Sequence, residues 1–185
     1  MKIWTRFCIT ISAVLVLANM AAYGANSTSS TISMSATVPS TDNLTCTGSG
    51  AFSTVTHGTP VTLAPISCSV TNNDANGVTM TVWVASGNAM TGSGTNAIAA
   101  SALEVYTTGT TTGQTNLVTQ YTALSSTGWT GLASNPSGYG LDVATFANSD
   151  TTYSSVPLNV QLTLPANTPA DSYTGTLNIT ITPIS

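Results

Sequence analysis

Four stretches of this chain alternate apolar and polar side chains with a period of two, a pattern that favours β-structure over any helix. Ile32, Met34, Ala36 and Val38 alternate with Thr31, Ser33, Ser35 and Thr37. Val78, Met80, Val82 and Val84 alternate with Thr79, Thr81 and Trp83. Val156, Leu158, Val160, Leu162 and Leu164 alternate with Pro157, Asn159, Gln161 and Thr163. Leu177, Ile179 and Ile181 alternate with Thr176, Asn178, Thr180 and Thr182. Successive side chains of a strand point to opposite faces, so each run predicts a strand with one buried and one wet face. Thr suits the wet face because its β-branched side chain fits a pleated surface. Shorter strand candidates lie at 44–47, 61–70, 103–107, 117–122 and 141–146. Turn residues separate them: Asn72-Asn73-Asp74-Ala75-Asn76-Gly77, Gly92-Ser93-Gly94 and Asn135-Pro136-Ser137-Gly138. Asn76-Gly77 directly before a strand reads as a hairpin turn. Residues 97–103 offer one short helical turn at most. Roughly nine short strands divided by turns predict an all-β fold, an immunoglobulin-like β-sandwich.

The first 25 residues stand apart from that fold. Lys2 and Arg6 precede an apolar run over 7–20, and the small residues Ala21, Ala22, Gly24 and Ala25 follow. A charged start, an apolar middle and a small-residue end predict a secretory signal peptide over 1–25. The run is shorter than the roughly 20 residues a membrane span needs. Lys2 and Arg6 are the only Lys or Arg of the chain, so loss of the leader takes the formal charge from −4 to −6. A chain without Lys or Arg cannot neutralise phosphates, which excludes nucleic acid. Attraction to an anionic membrane surface is excluded for the same reason, and no direct membrane insertion is expected. Charged residues make up 4% of the chain and hydrophobic ones 42%, the reverse of a disordered composition. The expected organisation is an extension over 26–39 and one domain over 40–185. Cys8 leaves with the leader. Cys46 and Cys68 remain as an even pair in an oxidising compartment, so a structural disulfide is expected.

Candidates for chemistry are few. His57 is the sole histidine, beside Gly58, and no G-x-S-x-G elbow accompanies it, so it reads as a loop residue. One histidine and a paired cysteine couple leave no zinc set. The loop over Asn72, Asn73, Asp74 and Asn76 gathers oxygen atoms, but it has a single carboxylate and lacks the terminal Glu of a calcium loop. The six carboxylates are scattered singly and read as solvated loop groups. Asn26, Asn43 and Asn178 begin N-x-[ST] triplets, which a chain rich in Ser and Thr produces by chance. No catalytic residue, metal site or cofactor is expected, and the chain is read as not an enzyme. Trp129 and Tyr139, in a Gly-rich stretch, are the candidates for stacking on a sugar. They support the alternative reading, a monomeric secreted binding module for carbohydrate.

An alternating strand at the start of a sandwich has two fates. It pairs within its own domain, or it adds to the next copy by filling a groove that lacks a strand. In the second case Ile32, Met34, Ala36 and Val38 enter successive pockets, because only every second side chain faces the groove. The order of motifs bears on this choice. A leader and alternating extension precede Cys46, then come Ile66-Ser67-Cys68-Ser69-Val70 and Val78-Thr79-Met80-Thr81-Val82. Leu103-Glu104-Val105-Tyr106, Thr115-Asn116-Leu117 and Trp129 follow. Val156-Pro157-Leu158, Leu164-Pro165-Ala166-Asn167 and the run from Asp171-Ser172-Tyr173 to Ile181 close the chain.

In this order the chain resembles the spore coat protein U-type domains, the subunit family of archaic chaperone–usher pili. The resemblance covers nearly all of the chain after the leader and is one of pattern more than identity. It implies folding on a periplasmic chaperone, export through an outer-membrane usher, and head-to-tail polymerisation with copies of itself or related pilins by donor-strand exchange. It further implies a cell-surface fibre serving attachment and biofilm formation, donor residues Ile32, Met34, Ala36 and Val38, and a Cys46–Cys68 disulfide. The chain departs from the family in ending Thr182-Pro183-Ile184-Ser185 without a terminal aromatic, and in lacking Lys and Arg. One domain argues for a shaft or anchor subunit over a tip adhesin.

Overall fold

In the computed structural model the alternating runs become strands wherever a neighbouring segment supplies backbone partners. The structure describes residues 33–36, 41–109, 111–125 and 139–184. The expected leader, Ile32, Val38, Trp129 and the turn at 135–138 lie outside the described residues. The chain divides into two units, Met1–Val38 and Pro39–Ser185.

The second unit is all-β. Its strands are β1 (Asn43–Thr47), β2 (Val61–Thr62), β3 (Ile66–Asn72), β4 (Val78–Val84), β5 (Asn88–Thr91) and β6 (Ala97–Ala99). After one 3-10 turn at Ala100–Ala102 come β7 (Leu103–Thr107), β8 (Gln114–Asn116), β9 (Thr122–Ala123), β10 (Tyr139–Phe146), β11 (Ser149–Leu162) and β12 (Asn178–Pro183). A six-stranded sheet runs β1-β3-β11-β7-β9, with β2 also on β11. A four-stranded sheet runs β12-β4-β10-β8, and β5 pairs with β6 as a separate hairpin. All of these pairings are antiparallel.

The alternation decides which face is buried. Val78, Met80, Val82 and Val84 of β4 are shut off from solvent, as are Val105 of β7, Val143 and Phe146 of β10, and Val156, Leu158 and Val160 of β11. These residues form one apolar cluster drawn from both sheets, the arrangement of a β-sandwich. Their neighbours at alternate positions point to the other face of each sheet, where Thr81, itself buried, donates through Oγ1 to Asp142 Oδ1 at 2.6 Å.

Three expectations are corrected. The candidate at 61–70 is two strands, because β2 pairs with β11 while Pro65, with no N–H to give, separates it from β3. The candidate at 117–122 is not a strand over most of its length. There the chain leaves the four-stranded sheet at β8 and joins the six-stranded sheet at β9, and Leu117 is 49% exposed. Asn76-Gly77 is not a hairpin turn, since β3 and β4 belong to different sheets. Gly77 is needed there all the same: its φ is +81°, and a Cβ would strike the Phe146 carbonyl oxygen. The short helical turn expected within 97–103 is present as the 3-10 turn at Ala100–Ala102, preceded by Ala97–Ala99 paired with β5.

Candidate binding groove

β1 is the outermost strand of the six-stranded sheet, and β12 is the outermost strand of the four-stranded sheet. Among the described residues no strand pairs with the second edge of either. A hollow of about 360 Å³ lies there, lined by Leu44 and Cys46 of β1, Ile66 of β3, Leu177 and Ile179, with Gly48, Ser49 and Gly50 completing the wall. At Gly50 it meets a second hollow of about 420 Å³, whose apolar lining includes Phe52, Val55, Met90, Leu164 and Tyr173.

Burial falls off toward this groove. Ile179 and Ile181 sit opposite Val82 and Met80 in the β12–β4 register, so all four face the core. Val82 and Met80 are fully buried, whereas Ile179 and Ile181 are only half-buried. Leu44 and Cys46 are likewise half-buried on β1, while Cys68 and Val70 opposite them are buried. Apolar side chains on the inner face of both edge strands therefore remain in contact with water, which is unfavourable for each of them.

One wall is held covalently. Cys46 and Cys68 stand directly opposite each other in the β1–β3 register and form the expected disulfide, with an S–S distance of 2.05 Å. β1 is thereby fastened to the sheet interior instead of relying on five residues of edge pairing.

Of the candidate donor residues, Met34 and Ala36 are described, and Met34 is 91% exposed. Residues 33–36 lie in no strand. Alternation records which face a strand would bury, but the backbone forms a ladder only when a partner edge is present.

The remaining candidates resolve into structural contacts. His57 is exposed, and its Nε2 lies 2.9 Å from the Thr168 carbonyl, which ties its loop to the connection between β11 and β12. Tyr139 is half-buried against the core opposite Val84, an ordinary packing residue. In the loop considered for calcium, Asn72 is buried and its Nδ2 donates to the Ala147 carbonyl at 3.3 Å. Asn73 Oδ1 accepts the Thr41 N–H at 2.8 Å. Among the described residues no group of three His, Cys, Asp or Glu side chains gathers as a metal set.

Two carboxylates do more than solvate loops. Asp171 Oδ2 accepts from Ser93 N at 2.6 Å, Ser93 Oγ at 2.7 Å and Asn96 Nδ2 at 2.9 Å, and Oδ1 accepts from Ser172 N at 2.8 Å. The bonds from Asn96 and Ser93 hold its carboxyl far below the usual range. It clamps the β5–β6 turn to the approach of β12, a role that no local sequence pattern announces. Asp74 is pushed the other way, first by a hydrogen bond with the Asp42 carboxyl, then by burial and by the Asp42 charge.

A raised carboxylate favours the fold at acid pH, and that contribution is lost as pH rises through the folded-state value. Asp42→Asn removes the repulsion. It is expected to raise the melting temperature at pH 7 and to change it little at pH 3.5. Equal shifts at the two pH values in thermal denaturation would show that the pair does not share a proton.

Comparison of the chain with protein-family models, with curated proteins and with solved structures yields no match.

Proposed function

We propose that this protein is a structural subunit of a secreted surface fibre that polymerises by donor-strand exchange. The observation that carries the reading is the apolar groove between β1 and β12, two strand edges left unpaired among the described residues. The same chain carries an alternating segment whose Met34 is 91% exposed. On this reading the domain is an immunoglobulin-like sandwich short of one strand. The extension over 26–39 of one copy supplies that strand to the next.

Lengths agree with the exchange. β12 has six residues and so spans about 20 Å, and the alternating residues 31–38 extended at about 3.3 Å per residue reach as far. A strand laid along β12 pairs its N–H and C=O groups with that free edge and turns its alternate side chains into the groove. Burying Ile32, Met34 and Val38 contributes roughly 1.5–3 kcal/mol for each side chain. On this reading the donor of one copy fills the acceptor of another, a head-to-tail contact that does not close on itself, and a filament results. A periplasmic chaperone and an outer-membrane usher would shield the groove and direct export. The fibre would serve attachment and biofilm formation.

Size-exclusion chromatography with light scattering tests the reading. Residues 26–185 are compared with residues 43–185, with and without a peptide of residues 26–39. The expected result is heat-resistant ladders from the longer form, and a shorter form that is unstable alone and rescued by the peptide. A longer form that stays a stable monomer at all concentrations would overturn the proposal in favour of the monomeric binding module.

A further inference from the structure

The outer face of the six-stranded sheet gathers a second set of side chains that the groove does not use. Leu103, Val105 and Thr107 of β7 are buried, as are Leu158, Val160 and Leu162 of β11. The pleat therefore sends Glu104 and Tyr106, with Asn159 and Gln161, to the opposite face. The register sets Tyr106 against Asn159 and Glu104 against Gln161. On the other side β9 sets Ala123 against Glu104 and Thr122 against Val105, which carries the preceding Tyr121 alongside Tyr106. The two rings meet edge to face, with centroids 4.6 Å apart and planes at 79°. All of Glu104, Tyr106, Tyr121, Asn159 and Gln161 are half-buried, so each keeps some surface in contact with solvent.

We propose that this face is a binding platform for a neutral polysaccharide. A pyranose ring offers apolar C–H faces and a rim of hydroxyls. Tyr106 and Tyr121 supply flat apolar surface at little conformational cost, with a hydroxyl at each tip. An edge-to-face pair leaves each ring a face that the other does not cover. Gln161 Nε2 donates to Glu104 Oε2 at 2.7 Å, which fixes a carboxylate still able to accept from sugar hydroxyls. Asn159 Nδ2 is shut off from solvent without a hydrogen-bond partner, so a turn of this side chain toward the surface would offer a ligand hydroxyl a donor at no loss of an existing bond. Burial, then Tyr106 and Glu104, push the Tyr121 hydroxyl up, in keeping with the three groups sharing one patch.

Charge selects among the glycans. The platform carries a carboxylate, and the chain has no Lys or Arg beyond Arg6, so an acidic polysaccharide would be repelled. A peptide strand is disfavoured as well, because β7 is paired with β11 along its length and with β9 at Glu104 and Val105, which leaves only the short edge at β9 for strand addition. The inference does not depend on polymerisation. In a fibre the platform would repeat on every subunit, and weak single sites on one long polysaccharide would reinforce one another.

The test is affinity electrophoresis of residues 26–185 in gels holding hydroxyethyl cellulose, soluble starch, glycol chitin or arabinoxylan, with alginate as the acidic control. At least one neutral polymer is expected to retard the protein, and alginate is not. Tyr121→Ala, which lies outside any strand, and Glu104→Gln are each expected to weaken retardation about tenfold, the scale for a central aromatic or charged contact. Their melting curves should stay close to that of the unsubstituted protein. Retardation by no neutral polymer, equal retardation of the Tyr121→Ala protein, or equal retardation in alginate would each overturn the proposal. The fibre reading would stand untouched by any of them.

Discussion

Ile179→Asp is expected to weaken binding of the 26–39 peptide to the residue 43–185 domain by at least a hundredfold, and to abolish ladders of the longer chain. Ile179 lines the groove and faces the core opposite Val82, yet it is only half-buried. In the free domain water can still reach an aspartate there. In the filled groove that carboxylate would be sealed beneath the donor's apolar side chains with no cation to pair with, which costs several kcal/mol. A hundredfold corresponds to about 2.7 kcal/mol, so the predicted loss is a lower bound. Thr176→Asp adds the same charge three residues earlier on an exposed position and should leave binding unchanged. If Ile179→Asp fails to fold, Leu177→Asp lies on the same wall but outside β12 and serves the same purpose. Peptide binding by fluorescence anisotropy, at equal strength in the Ile179→Asp and unsubstituted domains, would mean that the groove between β1 and β12 is not where the extension goes.

How much of this was legible in the sequence differs from element to element. β4, β11 and β12 could be read directly, because period two survives in their side chains: β4 and β11 bury their apolar face, and β12 turns its half-buried isoleucines the same way. β5 and β6 could not, since Asn88–Thr91 and Ala97–Ala99 are short and Ala-rich, and their pairing depends on the turn between them and on the Asp171 clamp. The segment 117–121 misled for the opposite reason: Leu117 and Val118 look like strand residues, but the chain is there crossing between sheets. The groove was half visible. Leu177 and Ile179 announce an apolar face, but only the pairing order shows that this face ends at an edge. The Tyr106–Tyr121 pair was invisible, because Tyr121 precedes the two-residue strand β9, whose register against β7 no local pattern fixes. The leading segment remains the plainest signal in the chain, and the four described residues of it form no strand. Under the proposed donor-strand exchange its alternation is information about a partner, which a single copy need not contain.

Replacing both Cys46 and Cys68 with alanine is expected to lower stability by about 3 kcal/mol, from the loop that their 22-residue separation closes. For a domain of this size that is a fall of about 6–12 °C in melting temperature. It is also a large share of the 5–15 kcal/mol that holds a typical domain folded. The groove should respond as well as the melting curve. Among the described residues β1 pairs only with β3, and Leu44 and Cys46 make one wall of the hollow. Without the covalent tie, five residues of edge strand must hold that wall by hydrogen bonds alone, and such an edge opens more readily than the sheet centre. Binding of the 26–39 peptide should therefore weaken at temperatures well below the new melting point, where the domain is still folded by far-UV circular dichroism. Filling the groove should in turn restore part of the lost stability, because a ligand that binds only the native state raises its melting temperature. Unchanged peptide affinity beside a lowered melting temperature would assign the disulfide to the fold alone and leave β1 held well enough by its pairing with β3. Weakened affinity, together with a melting temperature that climbs as peptide is added, would place the disulfide where the geometry puts it, at the wall of the groove.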